Sequence, residues 1–418
     1  MRNIAAMAVP EGVRAQRRPT TSKAEGVGAQ RRTQKIRSAP FLAMLISALL
    51  LGACAGDSSK KENIEPPTEL VDFDATIAVE RIWSADVGDG AGVTGAGLVP
   101  AVAGGRVFAA SVDGGIHAYN AASGERIWTK EIDSVSGGPG ASDTLVVAGT
   151  IEGQVIALDA ETGEERWRVR VSSEVISPPV LSGDVVIVIA NDGRTHALEA
   201  ADGKLRWAVD RGVPLLSLRG NASPIVTSDR VLVASANGKV SALSLTDGRQ
   251  LWEATVGAAE GRTDLERMSD LDGRMVLMDG DLYVAGYESG AQALTSDAGR
   301  TLWTRKLSSV AGLAAGREAI FVAATNGTVW SLDRRTGASM WKNETLKHRM
   351  LSVPVLMGEY VVVGDLEGQL HWFTRAEGTI AARSELGDEG FGAGLVVVDD
   401  VLYVQNRDGK IGAFRIGG

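Results

Sequence analysis

One cysteine in 418 residues, Cys54, excludes a disulfide framework and any cluster of thiolate metal ligands. Histidine is nearly as scarce, with four copies. No window beyond residue 60 sustains a helical period of apolar residues, so a helical body has little basis. None of the nucleophile-elbow, P-loop or helix-borne zinc patterns occurs. Positive charge is also short. Residues 1–53 carry nine Lys and Arg against two Asp and Glu, which leaves 34 against 50 in residues 54–418, a net charge of −16. An acidic body argues against a phosphate-backbone partner, so no nucleic acid is expected.

Glycine (51 copies) and tryptophan (nine copies) are abundant instead. Residues 147–171, VAGTIEGQVIALDAETGEERWRVRV, show how they are used. An apolar run ends at a turn, Glu152-Gly153. An alternating strand, 154–159, follows, then a second turn at Thr162-Gly163, and Trp167 stands four residues later in a third strand. Glycine at each reversal supplies the positive φ that tight hairpins need.

This unit recurs along nearly the whole chain. The first turn appears eight times, at Asp113-Gly114, Glu152-Gly153, Asp192-Gly193, Asn237-Gly238, Ser289-Gly290, Asn326-Gly327, Glu367-Gly368 and Asp408-Gly409. The second-turn glycine returns at Gly124, Gly163, Gly203, Gly248, Gly299, Gly337 and Gly378. Four residues past the first six of these stand Trp128, Trp167, Trp207, Trp252, Trp303 and Trp341; the seventh copy has Ala382. The eighth copy stops before its last strand, and residues 78–85, AVERIWSA, carry the missing ending with Trp83 in the tryptophan place. A period of about 40 residues with four strands each predicts an all-β, eight-bladed β-propeller of four-stranded blades, its last blade closed by an N-terminal strand. The repeated tryptophans then read as plates packing blade on blade rather than as a cofactor stack. His117, His196 and His371 share one repeat position in blades one, three and seven, too far apart to converge on a metal. His348, beside Lys347 and Arg349, reads as part of a solvated loop.

The start of the chain reads as an address. Residues 40–53, PFLAMLISALLLGA, are apolar over the length of a signal peptide and too short for an ordinary membrane span. Arg31, Arg32, Lys35 and Arg37 give the positive flank. The ending Leu51-Gly52-Ala53-Cys54 resembles a bacterial lipobox, which implies a lipid on Cys54, and Ala55 after it implies sorting to the outer membrane. Residues 11–18 and 25–32, EGVRAQRR and EGVGAQRR, form a polar repeat that suggests a start codon assigned too far upstream. Three segments are therefore expected: 1–53 signal peptide with an atypical extension, 54–77 lipidated cysteine and flexible tether, and 78–418 propeller.

The aligned repeat, xxGxVxALDxxTGxxxW, is similar to the pyrroloquinoline-quinone type of propeller repeat. Two families share it. Quinoprotein dehydrogenases would imply a quinone, a calcium ion, a catalytic aspartate and adjacent cysteines, but Cys54 stands alone. Asp270-Leu271-Asp272-Gly273 is a poor calcium loop, with Met268 where the first ligand of such a loop belongs. Two enlarged connections favour the other family. RGVPLLSLRGNASP (211–224) and GAAEGRTDLERMSDLDG (257–273) join outermost to innermost strands on one face, side by side. Leu215, Leu216 and Leu218 beside Arg219, facing Asp264, Glu266, Asp270 and Asp272, have the residue types of an interface, although buried leucines beneath the loop would read the same.

LSLRG at 216–220 and T-x-x-x-R-x-S-D-x-D at 263–272 resemble signature loops of the BamB family of outer-membrane assembly lipoproteins. That resemblance covers residues 78–418 and the lipobox. It implies a scaffold without catalysis, cofactor or metal, on the periplasmic side of the outer membrane. Leu216, Leu218, Arg219, Asp270 and Asp272 would contact the periplasmic domains of BamA. Other assembly lipoproteins would be met indirectly, and nascent β-barrel proteins are a further candidate partner. Gly273-Arg274-Met275 and Ala382 depart from the family pattern.

Overall fold

A computed structural model describes residues 65–91, 97–212, 222–256 and 271–417. These form eight sheets, seven built on four successive antiparallel strands and the eighth on three C-terminal strands with Val79–Asp86, and there is no helix among the described residues. Blade one holds Ala101–Ala103, Arg106–Ala110, Gly115–Asn120 and Arg126–Glu131, and six further blades repeat the order through Ile380–Glu385. The second blade gains a fifth strand, Gly97–Leu98, paired parallel to Val135–Ala141. The middle strands are the most buried, because each blade is covered on both faces by its neighbours.

Ring closure follows the expectation. Val79–Asp86 pairs antiparallel with Lys410–Ile416, with Val79 opposite Ile416 and Trp83 opposite Ala413. The joined blade is tied to blade one by Gln405 Nε2 donating to the Ala110 carbonyl at 2.8 Å and Tyr119 Oη donating to the Asp86 carbonyl at 3.0 Å.

The tryptophans pack as predicted and add a polar contact the sequence did not announce. Each outer-strand indole lies over the second-turn glycine of the following blade. A Cβ on Gly163, at φ +74°, would come within 2.8 Å of the Trp128 ring, so both the turn and the packing demand glycine. The indole N–H then donates to a carbonyl three residues before that glycine. Trp128 reaches Ala160 at 3.1 Å, Trp167 reaches Ala200 at 2.8 Å, and Trp83 reaches Ala121 at 2.9 Å. Trp207, Trp252, Trp303 and Trp341 repeat the bond. An apolar plate with one satisfied donor suits a half-buried seam.

Of the segment expected as tether, residues 65–77 have fixed partners on blades six and seven. The Thr68 amide donates to the Lys347 carbonyl at 3.0 Å, and the Thr76 amide to the Ala381 carbonyl at 2.9 Å. Leu70 and Ile77 pack against buried apolar clusters of the body. Cys54 and the rest of residues 1–64 lie outside the described residues.

Candidate functional site

Each connection leaving an outermost strand starts beside the first turn of its own blade. The Ile132 amide donates to Gly114, Val171 to Gly153, Val256 to Gly238 and Leu386 to Gly368, all through backbone carbonyls. First turns and connections therefore share one face of the disc, and the described ends of both enlarged connections start from and return to blades on that plan.

Their roots meet in a single core cluster between blades four and five. Ala222, where the first insertion returns, and Val256, where the second departs, are both buried there. Leu271 and Met275, where the second returns, join them around Leu232, Val240 and Leu282. The returning chain is seated tightly: a Cβ on Gly273 would lie 2.7 Å from the Gly312 Cα, and the Arg274 amide donates to Ala311 at 3.2 Å. Glycine at 273 thus permits an approach that a larger residue there would block. At the start of the first insertion, the Asp210 carboxylate accepts from the Gly212 amide at 2.9 Å and from Arg194 at 3.0 Å. Next to it, burial pushes the Arg211 guanidinium down to about 10, with Glu253 partly offsetting it.

Of the predicted contact residues, Leu216, Leu218, Arg219 and Asp270 lie outside the described residues. Asp272 is half-buried between buried Leu271 and Gly273. Leu271 is 2 % exposed and packs in the core cluster, which makes its stretch an anchor for the loop.

The three aligned histidines occupy equivalent middle-strand positions on separate blades, each with its own partner. His117 Nδ1 is 3.0 Å from Thr129 Oγ1, and His196 Nε2 is 3.1 Å from Ser172 Oγ. His371 Nε2 lies 2.9 Å from Asp365 Oδ2. Burial lowers the pKa of all three. No group of three metal-ligating side chains occurs among the described residues.

Blade seven contains a buried ionic cluster that the sequence reading missed. Arg349, expected in a solvated loop, is 2 % exposed. Its Nε donates to Asp365 Oδ2 at 2.7 Å, and its Nη2 meets Glu367. A buried guanidinium needs such partners, which corrects the solvated reading. His348 beside it is half-buried and lies 2.9 Å from Glu65. Burial raises the Asp365 carboxyl, but hydrogen bonds from His371 and Arg349 outweigh it and hold the group below its ordinary value. One signal was available. Three residues before each first-turn glycine the blades carry Ser111, Thr150, Ala190, Ser235, Tyr287, Ala324, Asp365 and Asn406, and only blade seven places a carboxylate there. Its Oδ1 accepts the Gln369 amide, as Thr150 Oγ1 accepts that of Gln154, which leaves Oδ2 for Arg349 and His371.

A family model described as outer membrane protein assembly factor BamB matches residues 71–135 and 112–343. The chain is 42 % identical over 376 residues to the protein of that name from Xanthomonas campestris, spanning 87 % of this chain and 93 % of the relative. It is 39 % identical to that of Pseudomonas aeruginosa, spanning 90 % and 98 %. The crystal structure of BamB from Moraxella catarrhalis superposes with a TM-score of 0.74 at 31 % identity, covering 81 % of this chain and all of that one. A quinohemoprotein alcohol dehydrogenase from Comamonas testosteroni superposes at 0.66 but is 14 % identical, over 84 % of this chain and 78 % of that one, a likeness of fold alone.

Proposed function

We propose, from the premise that this chain belongs to the BamB family of outer membrane protein assembly factors, that it is a non-catalytic scaffold of the β-barrel assembly machinery. It works on the periplasmic side of the outer membrane, held there by a lipid on Cys54. Its direct partner is BamA, met through one of that protein's periplasmic domains. Leu216, Leu218 and Arg219 on the first insertion, with Asp270 and Asp272 on the second, are the contact residues. Other lipoproteins of the machine are reached through BamA, and nascent barrel proteins are the further candidate client.

The observation that carries this reading is the shared root of the two insertions. Ala222, Val256, Leu271 and Met275 pack in one cluster, so described ends of both insertions share one buried base. Ends fixed in one base reduce the ordering cost of binding through both insertions at once. Anchor and loops together raise the effective concentration of the scaffold at the membrane.

The test is recovery of BamA with the detergent-solubilised protein. The unaltered chain is expected to retain BamA, and Arg219→Glu to lose it while keeping the thermal transition of the parent. Full recovery with Arg219→Glu would remove the insertions as the contact site.

A further inference from the structure

We infer that residues 65–77 form a latch across the outer edge of blade seven, which begins at Glu65 on the face that carries the roots of the two insertions. In the scaffold reading, on which this rests, the latch then starts on the face from which the partner loops depart.

The latch runs from one face to the other. At its beginning Glu65 meets His348 at 2.9 Å and the Thr68 amide meets the Lys347 carbonyl at 3.0 Å. His348 itself donates its amide to Asn326, in the first turn of blade six, which places this end on the connection face. At its far end the Ala78 carbonyl accepts from the Gly417 amide, opposite the first turns, before Val79–Asp86 climbs back through the closing blade. Two arginines hold the middle. Arg349 Nη1 donates to the Thr68 carbonyl at 2.9 Å. Arg383 Nη2 donates to the Val71 carbonyl at 3.2 Å, with its guanidinium 5.1 Å from the centre of the Phe73 ring.

Two further features mark a built site. Arg349 is oriented by Asp365 and Glu367, so one end of the clamp is fixed before the latch arrives. Blade seven also differs at its rim: the residue before the tryptophan position is exposed in Ile127, Leu251, Leu302 and Met340, whereas Ala381 under the latch is fully buried.

Hydrogen exchange on the full lipidated chain in detergent micelles tests the latch. The Thr68 and Thr76 amides are expected to exchange at least tenfold more slowly than in a free peptide of residues 65–77. Arg383→Ala should remove that protection while blades one to four stay protected. Phe73→Ala, which leaves the propeller's own side chains untouched, should weaken it in the same direction. Free-peptide rates in the unaltered chain, or protection indifferent to both variants, would overturn the latch. A photo-crosslinking residue at position 65 should label residues 344–351; labelling of the opposite-face turns at 358–359 or 375–378 would overturn the start on the connection face. A protected latch without BamA recovery sinks only the scaffold reading, and BamA recovery with an unprotected segment sinks only the latch.

Discussion

Trp372 and Ala382 face each other across the two outer strands of blade seven, with the large and small partners exchanged relative to the other copies. Elsewhere Ala118, Ala157, Ala197, Ala242, Ala293 and Ser331 oppose Trp128, Trp167, Trp207, Trp252, Trp303 and Trp341. The exchange has a cause in the ring. An outer tryptophan in blade seven would have to dock on the second turn of blade eight, where Gly417 instead donates to the Ala78 carbonyl and Val79 begins a separate strand. Trp372, fully buried, fills the space from the inner side against Leu386, Phe391 and Phe414.

Trp372→Ala should therefore cost about 3–5 kcal/mol, read by urea unfolding. Adding Ala382→Trp should not restore it, because the second-turn glycine and carbonyl are missing. A double variant as stable as the parent would show that the exchange is neutral.

The docked glycines allow the backbone and packing costs to be separated. Gly163→Ala and Gly183→Ala both place a side chain at positive φ, +74° and +59°. Only the first would meet a ring, since nothing lies within 4 Å of a Cβ at 183. About 1 kcal/mol is expected for Gly183→Ala from backbone strain, and roughly 2–4 kcal/mol for Gly163→Ala. Equal losses in chemical denaturation would contradict the seam as described.

Acid should loosen the ring. Burial lowers His117, His196 and His371 from the ordinary 6.5, so below that pH the unfolded chain binds protons that the folded chain refuses. Stability contributed by the neutral imidazoles is present above 6.5 and is lost as pH falls towards the lowered folded values, by at most about 1.4 kcal/mol per histidine per unit. The lowered Asp365 adds a loss in the same direction below its ordinary 3.8. The urea midpoint should drop between pH 7.5 and 5.5, and by less in His371→Gln. His371 faces Asp365, Arg349 and Arg383, so the variant's midpoint should be compared with the parent's at pH 7.5 first.

On the proposed contact, Leu218→Ala is expected to weaken BamA binding about tenfold or more, the effect of truncating an apolar anchor. Asp272→Ala should act on two quantities, because a half-buried carboxylate beside Leu271 also belongs to the loop's root. Calorimetric titration together with a thermal scan separates them: Leu218→Ala should leave the transition temperature unchanged, and Asp272→Ala should lower it.

The propeller was legible because a repeat multiplies its evidence. One Gly-to-Trp spacing is weak, but Gly124 to Trp128 through Gly337 to Trp341, completed by Trp83, fixes strand order and closure together. Ala382 looked like a defect for the opposite reason: its compensation, Trp372, sits on another strand, and only the register pairs them. The latch was hidden by composition. Pro66-Pro67 and the surrounding charges read as tether, while Leu70, Phe73 and Ile77 are too widely spaced to announce a buried face. Arg349 was misread because a buried arginine differs from a solvated one only in its partners, and Asp365 lies sixteen residues away in sequence.

Glu80 and Arg415 meet through an ion pair spanning 335 residues, and their strands complete one blade. The first described strand is thus completed only by the last. Val79–Asp86 has no partner in the chain until Lys410–Ile416, seven residues long, is in place. A linear solenoid can stop at any repeat and remain a shorter solenoid, but here a chain cut before Lys410 leaves its opening strand without a partner. Until that pairing forms, the last blade presents an open strand edge, the feature by which unfinished sheets associate wrongly.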